Sequence, residues 1–169
     1  VETPCFIVDK SLIENNMRIL KSVKDAAGCK ILLAQKGFAM FSLYPLMSRY
    51  LDGTCASSPH EARLGREEFG GEVHVFAAGY SESDIDEIIT LADHIVFNSF
   101  NQWKVFRRKI AESGRNIECA IRVNPEHSEG AHEIYDPCQK HSRLGVIKKN
   151  FETDELDGIS GLHFHTLCE

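Results

Sequence analysis

Hydrophobic positions along the chain follow two alternating rhythms. Short apolar runs of strand-like character fall at 30–35, 52–56, 73–78, 94–98, 117–123 and 159–165, after an extended opening stretch at 5–9. Between the runs, apolar residues recur at helical spacing, as in Leu43, Leu46, Met47 and Tyr50, or Ile85, Ile88, Ile89 and Ala92. Start signals precede several of these segments: Ser11 ahead of Glu14, Ser58-Pro59 ahead of Glu61, and Ser81 ahead of Asp84. Regular alternation at this spacing predicts parallel strands joined by crossover helices.

A barrel and an open sheet both satisfy that pattern. A dinucleotide-binding open sheet should carry a glycine-rich turn after its first strand, and no GxGxxG occurs in the chain. Strand parity favours a barrel. In "CAIRV", Cys119, Ile121 and Val123 share one face while Ala120 and Arg122 share the other; in "GLHFH", Leu162 and Phe164 oppose Gly161, His163 and His165. One face suits helices, and the other is small or polar enough to line a barrel interior. Six strands are present where a (β/α)8 barrel needs eight, so the expected fold is α/β, the N-terminal part of a TIM-like barrel over residues 11–169. The polar stretch 124–141 is long for a connection of this kind and is a candidate functional loop.

Composition narrows the function. With 43% hydrophobic and 26% charged residues in 169, the chain reads as soluble and able to build a core. No apolar run is long enough to span a bilayer and no signal-like start is present, which predicts a cytoplasmic protein with no membrane partner. A net charge of -6 without a Lys/Arg cluster argues against nucleic acid as a partner. Cysteines 5, 29, 55, 119, 138 and 168 form no CxxC pair, so reduced thiols are expected.

Candidate chemistry gathers at strand ends, where parallel barrels place it. The run "ILLAQKGFAM" (31–40) ends its apolar part in Lys36, with Gly37 directly behind. An ammonium there is costly to desolvate. Either it reaches past the rim into water, or burial lowers its pKa so that the amine attacks a carbonyl. Other strand ends offer "TCAS" at 54–57, "NSF" at 98–100, Arg122-Val123-Asn124 and "HFHT" at 163–166. Lys36 could supply an imine, Arg122 a donor to an anionic or phenolic oxygen, and His165 a flat face for an aromatic ring, the three contacts pyridoxal phosphate needs. An ion pair in the barrel mouth for Arg122 and a core position for His165 are the plainer alternatives. His163 and His165 could instead hold zinc, being two apart on one strand. The remaining histidines (60, 74, 94, 127, 132, 141) fall mostly at strand starts, on helices or in loops, so no metal site is expected.

Eight stretches carry a resemblance: "TPCFIVD", "ILLAQKGFAM", "YLDGTCASSPHEARLG", "GYSESDIDEI", "IVFNS", "IRVNPE", "DPCQKHSRLGV" and "GLHFHTLCE". In this order they resemble the barrel of fold-type III pyridoxal-phosphate decarboxylases, the group with ornithine, diaminopimelate and carboxynorspermidine decarboxylases. "SRLGV" and "HFHTLCE" are the most specific, and are similar to the carboxynorspermidine (carboxyspermidine) branch. The resemblance implies that Lys36 binds pyridoxal 5'-phosphate as a Schiff base, that His165 stacks on its ring and that Arg122 lies beside it. It also implies that a dry barrel mouth and Arg122 hold Lys36 toward its neutral form. Glu61 matches a glutamate usually near the site, and Cys168 stands where relatives place a serine that touches the phosphate. The implied reaction is decarboxylation of a carboxylated polyamine by a homodimer. The family's glycine loop, pyridine-nitrogen partner, cross-dimer cysteine and C-terminal β-domain come from segments beyond residue 169, which implies a fragment inactive alone. Residues 1–10 would then pair with that β-domain. A diaminopimelate, ornithine or arginine decarboxylase, a racemase or cofactor carrier, and a non-catalytic regulator are the alternatives.

Overall fold

The computed structural model describes residues 2–129 and 135–167. Six strands form one sheet: β1 (Leu32–Ala34), β2 (Gly53–Ala56), β3 (Glu72–Phe76), β4 (His94–Phe97), β5 (Glu118–Arg122) and β6 (Gly161–His163). Their spatial order is their chain order, and every neighbouring pair is parallel. An open doubly wound sheet reverses order at a switch point. Here the order never reverses, so each crossover carries the sheet further round in one sense. The sheet curls far enough for Phe76 on β3 to stack on His163 of β6, with ring centroids 5.0 Å apart. This is the wall of a partial α/β barrel.

The helices begin where local hydrogen bonding permits. α1 (Lys10–Ala27) is capped by Asp9, not by Ser11. Asp9 is extended, and its carboxylate accepts from the Ser11 hydroxyl, first among the effects that hold its pKa below the usual carboxylate range, and also from the Ser11 and Leu12 N–H groups. Gly28, at φ 64, closes the same helix. The predicted segment 43–50 forms only one α-helical turn, α2 (Tyr44–Met47), after a 3-10 turn at Phe41–Leu43. α3 (Pro59–Leu64) starts at Ser58, whose hydroxyl accepts from Glu61 N–H, and α4 (Glu82–Leu91) at a full Ser81/Asp84 capping box. α5 (Phe100–Glu112) uses Ser99, a start signal the pattern alone leaves unmarked.

Parity along the strands sorts the two faces. Val73, Val75, Ile95, Phe97, Cys119 and Ile121 point outward and are buried against Ile85 and Ile88 of α4 and Trp103 and Phe106 of α5. Leu33 joins a second cluster with Met17, Tyr44, Met47 and Phe69. The inner face carries His74 and Phe76 of β3, Ala120 and Arg122 of β5, and His163 of β6. The inside–outside assignment for β5 therefore agrees with its alternation. Leu162 on β6 and Phe164 just past it stay 59% and 63% exposed, because among the described residues no helix follows the last strand. The opening stretch 5–9 forms no strand, and Phe6 and Ile7 are exposed.

Candidate active site

Lys36 sits in the turn that ends β1, where Gly37 N–H and Phe38 N–H both donate to the Ala34 carbonyl at 3.0 and 3.2 Å. The turn sends consecutive side chains to opposite faces. Gln35 is buried, near the Thr54 hydroxyl and the Tyr44 phenol, and burial raises the Tyr44 pKa. Lys36 opens into a cleft of about 610 Å³ on the concave face, together with Phe76, Arg122, Arg143 and His165. It is exposed rather than desolvated, because β1 is the first strand of the sheet and nothing pairs with its free edge among the described residues. The expected dry mouth around Lys36 is therefore absent from this part of the barrel.

Arg122 is 5% exposed, and its guanidinium lies 4.6 Å from the centre of the Phe76 ring. Its Nε has no hydrogen-bond partner, and no carboxylate lies within ion-pair distance among the described residues. Among the described residues, then, the plain ion-pair alternative finds no partner. Burial pushes the Arg122 pKa down, against a weaker opposing effect of Cys138, yet an arginine stays charged at any working pH. A buried cation without a counter-ion is a standing invitation to an anion.

The two histidines of "HFHT" take different places. His163 stacks on Phe76, and its Nδ1 has no partner among the described residues. Burial first, then the positive neighbours Arg122, His165 and Lys36, push its pKa down to about 4, so it is neutral at ordinary pH. His165 lies at the rim, lines the cleft, and is shifted down in the same order of causes by burial, Arg122 and Lys36. Its carbonyl accepts from the Cys138 thiol at 3.3 Å. No third metal ligand joins this pair among the described residues; the set of three that could share one ion lies at the other end of the sheet.

The stretch after β5 folds back over the mouth. Val146 N–H donates to Arg122 O and Asn124 N–H to Val146 O, both at 2.8 Å, bridging the loop to the end of β5. Asn98, at the end of β4, accepts from Gly145 N–H and donates through Nδ2 to Arg143 O. Gly145 is needed there: its φ is 83, and a Cβ would sit 2.8 Å from the Val123 carbonyl carbon. These contacts place Arg143 and Ser142 at the cleft.

The structure thus brings Lys36, Arg122 and His165 to one cleft. Glu61 stands behind it: its carboxylate accepts from Ser57 N–H at 2.6 Å, and Ser57 is the residue that reaches the cleft. Cys168 lies outside the described residues, as does His132. Phe76 and Arg143 join the site without having been singled out. The parity of "EVHVF", which puts His74 and Phe76 on the inner face, is the signal that marks Phe76. Arg143 lies within "SRLGV", a stretch marked by the resemblance, but no periodicity gives its direction, and the folded loop turns it toward the cleft.

No family model matches the chain. Over 167 residues, 99% of the chain, it is 40% identical to the carboxyaminopropylagmatine decarboxylase of Synechocystis sp.. It is 38% identical over 169 residues to the carboxynorspermidine/carboxyspermidine decarboxylase of Campylobacter jejuni, and 36% identical to that of Herminiimonas arsenicoxydans. The chain spans less than half the length of these curated relatives, 43% to 45%. Among solved structures it is similar to carboxynorspermidine decarboxylase complexed with norspermidine from Campylobacter jejuni, with TM-score 0.87, 34% identity, and coverage of 99% of this chain and 42% of the other. Diaminopimelate decarboxylase from Helicobacter pylori complexed with L-lysine, at 20% identity and TM-score 0.72 over 90% of this chain and 42% of the other, shares the fold.

Proposed function

We propose that the chain is the cofactor-binding part of the barrel of a pyridoxal-phosphate-dependent decarboxylase acting on a carboxylated polyamine. The carrying observation is the cleft itself: an exposed amine on Lys36, a buried Arg122 with no carboxylate partner, and the His165 side chain, at the ends of three different strands. That donor set fits the cofactor. Lys36 would hold its aldehyde, His165 would lie against its ring, and Arg122 would meet an anionic oxygen. When bound, the cofactor supplies an electron-withdrawing ring that accepts the electron pair left as the Cα–carboxylate bond breaks.

The remaining work falls to this chain's own groups. Phe76 fixes the Arg122 guanidinium from one side, so the cation is aimed before any ligand arrives. His163 is neutral and packed, and so adds no charge to the floor of the cleft. The pinned loop from Ser142 to Gly145 holds Arg143 at the rim, where a second cation can meet a substrate carboxylate.

Similarity to relatives named for carboxynorspermidine, carboxyspermidine and carboxyaminopropylagmatine supports the substrate class, since all three names describe carboxylated polyamines. On this reading the enzyme is a cytoplasmic homodimer, and residues 1–10 pair with a β-domain encoded beyond residue 169. Borohydride reduction of the full-length protein followed by peptide mapping should place the pyridoxyl group on Lys36; a label on another lysine overturns the site. Offering the three carboxylated polyamines beside ornithine, arginine and meso-diaminopimelate, and comparing kcat/KM, tests the substrate. A higher ratio for one of the amino acids removes the polyamine assignment and leaves the cleft standing.

A further inference from the structure

The opposite mouth of the sheet carries a second convergence of ligating atoms, far along the strands from Lys36. Glu72 and His74 share the inner face of β3, and the register pairs His74 with His94 at the start of β4. The two imidazoles stack with centroids 3.8 Å apart. His74 Nε2 is 3.0 Å from Glu72 Oε2, a hydrogen bond, whereas His94 Nε2 faces the same oxygen at 3.8 Å, too far for one. One oxygen and two ring nitrogens therefore point at a common space, within 4.8 Å of one another, and only one hydrogen bond results.

We propose that Glu72, His74 and His94 bind one divalent ion of the zinc class, clamping the start of β3 to the start of β4. Two imidazoles and a carboxylate are the ligands such ions select, and calcium or magnesium would call for an all-oxygen shell. The surroundings match a metal site in two further respects. His94 Nδ1 faces the Glu118 carboxylate at 3.5 Å, the outer partner that orients a ligating histidine. Lys30 is paired with the other oxygen of Glu72, which leaves Oε2 to the ion. Glu72 and Glu118 against Lys30 leave one net negative charge, which a dication reverses without stranding a carboxylate.

The stacked rings are only 15° from parallel, so one ion cannot lie in both ring planes until a ring turns. Rotation about the second side-chain torsion of histidine is soft, and the two side chains are 25% and 23% exposed, which gives room and an entry path. Three protein ligands leave the fourth tetrahedral position to water.

The test uses the full-length protein, cofactor loaded and stripped of metal with a chelator. Titration with Co(II) should give intense ligand-field bands saturating at one equivalent per chain, and zinc should displace them. His74→Gln, His94→Gln and Glu72→Gln should each weaken binding at least tenfold, while His163→Gln leaves it unchanged. His94→Phe keeps the stacked bulk, so its loss of the bands with unchanged far-UV dichroism separates a lost ligand from a lost fold. Absence of stoichiometric binding overturns the proposal, as does binding that survives His74→Gln and His94→Gln. Neither result depends on the decarboxylase reading.

Discussion

The two mouths of this half-barrel are built from the same strands and both carry lysines and histidines, yet they treat charge in opposite ways. At the N-terminal mouth nearly every charge has a partner within the chain: Lys30 meets Glu72, Lys24 meets Asp52 at 2.9 Å, and His94 faces Glu118. At the C-terminal mouth, among the described residues, Lys36 and Arg122 have no carboxylate within ion-pair distance, and Asp136 is the single acid lining the cleft. A paired mouth stabilises the fold by its own contacts. An unpaired one holds its electrostatic capacity for something that binds.

The contrast breaks most directly at Lys36. On the proposed function, Lys36→Ala should remove the reducible cofactor adduct and lower turnover of the full-length protein by about a thousandfold or more, with the melting temperature of the metal-free, cofactor-free protein nearly unchanged. Absorbance, steady-state rates and a thermal melt check all three. A large drop in stability would show that Lys36 serves the fold.

Arg122→Met sharpens the comparison, because it removes a buried charge that no carboxylate among the described residues meets. Cofactor affinity should fall roughly 10- to 100-fold, while the stability of the cofactor-free protein holds or rises. Equilibrium dialysis and denaturant melts read the two quantities separately. Loss of stability would mean that Arg122 has an internal partner after all.

Acid should strain the unpaired mouth. His163 has a pKa of about 4 in the fold and an ordinary value near 6.5 when unfolded, so the unfolded chain takes up its proton first as pH falls. The stability it contributes is present above pH 6.5 and is lost progressively as pH falls to about 4, on the order of 1–2 kcal/mol after allowing for partial solvent access. Denaturant melts at stepped pH should show that slope, and His163→Phe, which keeps the stack on Phe76, should flatten it. An unchanged slope in the variant assigns it to other groups.

The smallest effect belongs to the paired mouth. Glu72→Gln breaks the Lys30 ion pair and weakens the hydrogen bond to His74, and should cost about 1 kcal/mol of stability in metal-free protein without changing kcat. A fall in kcat with stability intact would mean that the two mouths are coupled.

The architecture was legible because it rests on periodicity. A period of two in "CAIRV" and a period near 3.6 in Ile85, Ile88 and Ile89 are decided by which positions must leave water, and the folded core buries those residues. Lys36 stood out for the same reason, as a charge at the end of an apolar run. Local hydrogen bonding was read less well. Ser11 and Asp9 are both good caps by type, and the extended backbone at Asp9, φ -87 and ψ 111, chose between them.

By itself, then, the sequence determined six parallel strands with helices between them, the inner and outer faces of β5, and the placing of Lys36, Arg122 and His165 at or just past strand ends. Tertiary structure decided what those residues meet. That Arg122 lies on Phe76 instead of a carboxylate, that His163 is packed while His165 stands at the rim, and that Arg143 turns into the cleft all depend on curvature of the sheet and closure of a loop through Asn98 and Gly145. Burial periodicity acts within a few residues of the chain and can be read along it. Partnering between β3 and β6, or β4 and the loop after β5, is set by distances in space between segments tens of residues apart, and no local pattern carries that information.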